Sequence, residues 1–239
     1  MTGATVFSRS LVYNLYFSDS LAYIRHTRYT TATSFSTHSP TMWTFAALAL
    51  LAQVCHVTLA IEMAPYNLVN SAETYEERVY PAQKWVTTSH LSISHHEATS
   101  DVMFRKLFNY IDGQNDAAMK IDMTSPVTTL VIPGEGPNCE NNFTMSFYVP
   151  AAHQDNPPTP TNPEVNIEHR PELHVFSRRF HGFANDEDWI INAAQLHDDL
   201  VAAGEEGVDF QTYYTVGYDS PFVIIGRNNE VWFMKKDMN

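Results

Sequence analysis

Apolar residues recur along this chain with two different periods. From Ser100 to Asp112, Phe104, Leu107, Phe108 and Ile111 fall at i, i+3, i+4 and i+7, one face of a helix. Gly113 stands where such a helix is capped. A second helix is predicted after Asn185, a good N-cap, with Trp189, Ala193, Leu196 and Leu200 on its apolar side and Gly204 as its stop. Elsewhere β-branched and aromatic residues crowd into short runs, which predicts strands at 82–89, 143–149 and 173–180. The stretch from Met119 to Ile132 organises the rest. Ser125-Pro126 interrupts it, and Pro126 has no N–H for a ladder, so two strand segments joined by a kink are expected.

The pattern then starts again. Residues 154–163 are too proline-dense for a helix or a central strand and read as a linker between halves. Beyond it, Ile167-Glu168-His169-Arg170 echoes Tyr75-Glu76-Glu77-Arg78. Ser220-Pro221-Phe222 echoes Ser125-Pro126-Val127, and the run from Val231 echoes the strand at Phe143. The offsets are all near 90 residues. These echoes in order predict an internal duplication of a strand–helix–strand–strand unit, over about 74–150 and 164–239. The fold class expected is α+β: a distorted antiparallel β-barrel built from two such repeats, with two flanking helices.

Five segments occur in order: YEERVYPAQKWVTT (75–88), MKIDMTSPV (119–127), NPPTP (156–160), YYTVGYDSP (213–221) and RNNEVW (227–232). Together they closely resemble the SOUL haem-binding protein family, from about Glu73 to Lys236. The resemblance implies the same barrel with two helices. It also implies a haem or other tetrapyrrole ligand and no enzymatic activity. Function still has to be argued at a site, because sites are grafted onto folds.

Charge narrows the partners. The first 60 residues hold three arginines and one aspartate, and residues 61–239 carry 11 basic against 26 acidic residues, a net charge of −15. A body this acidic repels phosphate backbones, so nucleic acid is not an expected partner. Residues 42–60 contain the apolar run Phe45–Ala52, too short for a bilayer span but of the length of a secretory h-region, and Thr58-Leu59-Ala60 offers small residues for cleavage. A signal peptide at 42–60 is expected, with 61–73 a linker and 74–239 the domain. Residues 1–41 read as an extension, either disordered or not translated. The location expected is therefore extracellular; the resemblance alone implies cytoplasm. Cys55 leaves with such a leader, so Cys139 remains without an intrachain partner, and Asn142-Phe143-Thr144 is a glycosylation sequon.

No catalytic constellation stands out. Cys139 has no histidine tied to it by spacing. His95 and His96 are adjacent and point apart, which is poor for one metal, and His169, His174 and His181 are spread along a strand. No metal site is expected. The stronger candidate is the apolar helix face, which could stack on a flat macrocycle.

What the resemblance implies is that Phe104, Leu107, Phe108 and Ile111, with the loop holding Phe222 and Val223, form the cofactor-binding surface. The positions whose basic residues meet the propionates in relatives are Asp101, Asn109 and Val223 here, and the position of a proposed axial histidine is Val79. A carboxylate at Asp101 repels a propionate, at a cost on the order of 4 kcal/mol near a surface before screening. Arg105 and Lys106 could compensate. The resemblance also implies an alternative, a protein-interaction module with a Bcl-family-type partner. In it the amphipathic stretch 192–204 would lie in a groove.

Overall fold

The structure is a computed structural model, and it describes residues 61–136, 139–219, 223 and 226–236, apart from the Asp101 side chain. The expected extension and signal peptide, with Phe222 and the Ser220-Pro221 echo, lie outside the described residues.

The chain is α+β. Nine strands form one antiparallel sheet: β2 (Asn67–Ser71), β3 (Glu76–Tyr80), β4 (Gln83–Ser92), β6 (Val127–Ile132), β7 (Asn141–Tyr148), β8 (Asn166–Arg170), β9 (Leu173–His181), β10 (Val208–Gly217) and β11 (Asn228–Lys235). Two short strands, β1 (Glu62–Met63) and β5 (Thr124–Ser125), pair in parallel beside it. Helix α1 (Phe104–Ile111) continues from a π-helical segment, Glu97–Met103, and α2 is Asp186–Ala203.

The order across the sheet is β2-β3-β9-β11-β10-β6-β7-β4-β8. Among the described residues its edge strands, β2 and β8, do not pair with each other, so the sheet is open and the expected distorted barrel is not closed. Closure requires every strand to have two neighbours. Residues 61–73, expected as a linker, instead carry β1 and β2. The segment before the Ser125-Pro126 bond, which is cis, is only the two-residue β5, so the kinked pair of strands is shorter than expected.

Both faces of the sheet are covered, because strand side chains alternate and each set finds an apolar layer. Val86, Val131, Phe143 and Phe147 pack with Leu107, Tyr110 and Ile111 of α1. Phe176, Val231 and Phe233 pack with Trp189, Leu196 and Leu200 of α2. The opposite side gathers Trp85, Tyr148, Tyr214, Val216 and Trp232. Hence β11 is buried on both faces from Asn229 to Phe233. Each fully buried large apolar side chain contributes on the order of 1.5–3 kcal/mol.

The helix ends follow local chemistry. Asn185 Oδ1 accepts from the Glu187 and Asp188 N–H groups, and Asp188 returns a bond to the Asn185 N–H, a capping box. Gly204 ends α2 at φ 74°, a left-handed conformation that a Cβ disfavours. Residues 154–163 are packed rather than loose: Tyr110 Oη donates to the Pro158 carbonyl at 2.9 Å, and Asn115 bridges to Pro160.

Candidate ligand-binding cleft

The cleft lies where β6 and β10 meet. In their register Val127 is opposite Gly217, and Thr129 is opposite Thr215. These four residues share one face by the two-residue period, and they floor an inner chamber of about 250 Å³. Its walls include His95, Phe104, Met145 and Trp189. An outer chamber of about 480 Å³ is lined by Phe104, Phe108, Met123, Val127 and Tyr218, with Arg105. Ser100, Phe104, Val127, Gly217 and Asp219 border both chambers.

The expected helix face divides. Leu107 and Ile111 are buried core and line neither chamber, because Met103, Leu107, Tyr110 and Ile111 point at the sheet. Phe104 stands at the border. It packs edge-on against Phe147 at 5.3 Å and stacks with Phe108 at 6.1 Å. Phe108 is 46% exposed, so its ring lines the outer chamber without belonging to the core. Val223 accepts a bond from Arg227 through its carbonyl and is not among the lining residues. Of the two suggested cations, Arg105 lines the outer chamber, while Lys106 pairs with Glu164 at 3.0 Å. Val79 sits in β3 opposite His174, away from both chambers.

Sequence reasoning missed the floor and one wall. His95 Nε2 is 2.7 Å from Thr215 Oγ1, and its ring packs against Phe143 and Trp189. Burial pushes its pKa down to about 4, although Asp186 nearby works the other way. The imidazole is therefore neutral at pH 7. Asp186, at the start of α2, holds this wall: its carboxylate accepts from Ser94 Oγ and from the His95 and His96 N–H groups. The π-helical segment after them carries Thr99 and Ser100 into the lining. The floor could have been found from the motifs, because Val127, Thr215, Gly217 and Asp219 all lie in two of the five family segments.

Tyr218 joins the outer chamber to a buried polar network. Its hydroxyl donates to Glu230 Oε2 at 2.7 Å, beside the Trp232 indole N–H at 2.8 Å and the Arg78 guanidinium. Among the described residues no group of three or more His, Cys, Asp or Glu is placed to hold a metal ion, and no helix is long and apolar enough to cross a membrane. Cys139 is exposed and forms no disulfide among the described residues. Leu196 and Leu200 are fully buried under α2. The sheet has claimed the face that groove binding would need.

Residues 61–234 match the family described as SOUL heme-binding protein. The chain belongs to the SOUL family. Heme-binding protein 2 of Homo sapiens is 41% identical over 178 residues, covering 73% of this chain and 84% of that one. Heme-binding protein 1 of Sus scrofa is 31% identical over 180 residues, covering 74% and 94%. Among solved structures, a putative bacterial transcription regulation protein from Staphylococcus aureus aligns at a TM-score of 0.41 with 10% identity, covering 69% of this chain and 99% of that one. The family match takes in β1 and β2.

Proposed function

We propose that this SOUL protein is a non-enzymatic tetrapyrrole-binding protein, with haem or a related macrocycle held in the outer chamber. The observation that carries the reading is the chamber of about 480 Å³ walled by Phe104, Phe108, Met123 and Val127, in a chain of this family. The residues present fit a flat apolar group: aromatic rings offer stacking, and Arg105 offers one cation to a propionate. They offer no ready axial ligand, since His95 lines only the inner chamber and its Nε2 is engaged by Thr215. Binding then rests on apolar contact and one charge pair, which favours modest affinity. The test is titration of the full chain with haemin, followed in the Soret band. A saturable shift by tens of micromolar is expected, and a linear response identical to free haemin overturns the reading.

We also infer that the two halves arose by duplication. In support, β3-β9-β11-β10 and β6-β7-β4-β8 follow mirrored orders, with the echoing strands β3 and β8 each docked on the other half. Secretion after cleavage near Ile61 is a further proposal, supported by the apolar run at 45–52 and the small residues at 58–60. N-terminal sequencing of the protein from its own cells decides it. A chain that keeps residues 42–60 and carries no glycan on Asn142 overturns secretion.

A further inference from the structure

The inner chamber has a chemistry distinct from that of the outer one. Its floor is the Thr129–Thr215 cross-strand pair, and its walls are the rings of Phe104 and Trp189, with the Met145 side chain and the His95 imidazole. Apolar walls with a few convergent polar groups are the usual make-up of a small-molecule site. An engineered apolar cavity of about 150 Å³ takes up benzene, so about 250 Å³ accommodates a somewhat larger ring system. Asp219 and Arg227 both border the chamber, so one acidic and one basic side chain offset each other and the lining has no net preference for a ligand of either charge.

We propose that the inner chamber binds a neutral one- or two-ring aromatic molecule bearing one hydrogen-bonding group, seated between Phe104 and Trp189 over the Thr129–Thr215 pair. The hydrogen-bonding group addresses the His95–Thr215 pair, where imidazole Nε2 and hydroxyl lie 2.7 Å apart and the hydroxyl oxygen keeps a further lone pair for the ligand. An oxygen left to accept suits the O–H of a phenol or the N–H of an indole, and the imidazole, uncharged at pH 7, adds no positive charge to draw a carboxylate. The proposal does not need the tetrapyrrole reading, although Phe104 and Val127 border both chambers.

Methionine methyl groups report the two chambers independently, since Met145 lines the inner one and Met123 the outer one. The full chain, labelled with ¹³C-methyl methionine, is titrated with indole and, in a parallel sample, with haemin. Indole is expected to shift the Met145 resonance saturably and to leave Met123 in place. His95→Phe, which keeps a ring and removes both nitrogens, should weaken indole by about tenfold, as loss of one buried hydrogen bond does. Thr129→Leu, which fills the floor, should weaken it at least as much by taking up the space. Folding of each variant is checked by circular dichroism, and either one alone suffices. A Met145 signal that stays fixed up to millimolar indole overturns the proposal. So does indole binding of equal strength in both folded variants, or a shift at Met123 alone. Failure of the haemin arm bears only on the outer chamber.

Discussion

Arg78 and Glu230 lie 152 residues apart in sequence and form a bidentate pair, Nη1 to Oε2 at 2.9 Å and Nη2 to Oε1 at 3.1 Å. Their side chains are 2% and 0% exposed. Burial alone would raise the Glu230 pKa, but Arg78 and the hydroxyl of Tyr218 hold it below the usual carboxylate range. Removing Glu230 takes away the carboxylate that Arg78, Arg179, Tyr218 and Trp232 share, and leaves the buried Arg78 with Glu76 as its carboxylate partner among the described residues. Glu230→Gln is therefore expected to destabilise the fold by about 3–5 kcal/mol, read from urea unfolding. Glu164→Ala, which breaks the more exposed pair with Lys106, should cost less than about 1 kcal/mol. Equal losses would show that the buried pair is not held as described.

Helix α1 offers a test of which residues are core and which are site. Leu107→Ala should cost about 2–5 kcal/mol, since the side chain is fully buried. Phe108→Ala should change stability by less than about 1 kcal/mol, because its exposed ring packs little. In haemin titration the order reverses, with Phe108→Ala weakening binding and Leu107→Ala acting only through the fold. A Phe108→Ala protein with unchanged Soret titration would place the macrocycle elsewhere.

His95 sets an acid limit. Its folded pKa of about 4 lies below the ordinary 6.5, so between these values the unfolded chain binds the extra proton. Stability therefore falls as pH drops from about 6.5 towards 4, by on the order of 3 kcal/mol at most. Glu77 and Glu230, both held low, add their losses only below the ordinary carboxylate value of 4.5. His95→Phe should flatten the upper part of this profile, measured as urea midpoint against pH. A slope unchanged between pH 6.5 and 5 would mean that the imidazole is not buried as a neutral ring.

Asp186 ties the start of α2 to the wall of the cleft through three bonds. Asp186→Ala should cost about 1–2 kcal/mol, the scale of a lost helix cap. It should also speed amide hydrogen exchange across residues 94–100 more than in α1. Exchange raised evenly over both segments would argue against a local tie.

Much of this protein is legible in its sequence because the signals are local. The period of Leu107 and Ile111 and of Leu196 and Leu200 marks both helices, and the β-branched runs mark the strands. Asn185 and Gly204 mark the ends of α2, since a cap needs only its own neighbours to form. The five motifs identified the family, and two of them contain most of the cleft floor. The π-helical turn escaped the periodicity, because a stretch that starts helical with Glu97-Ala98-Thr99 gives no separate sign of its wider hydrogen bonding.

Sequence alone thus determined the two helices, the longer central strands and the family. Tertiary structure decided which neighbour each strand takes, and so left the sheet open and drew residues 62–63 and 67–71 into strands. It also decided which half of an apolar face is core. Phe104, Leu107, Phe108 and Ile111 look equivalent along the chain, but only packing against β4 and β7 buries Leu107 and Ile111 while leaving Phe108 to the cleft. His95 and Thr215 are 120 residues apart and become partners through the successive pairing of β4 with β7, β7 with β6 and β6 with β10, and through the anchoring by Asp186. Such contacts are set by how whole layers fit together, and no local propensity encodes them.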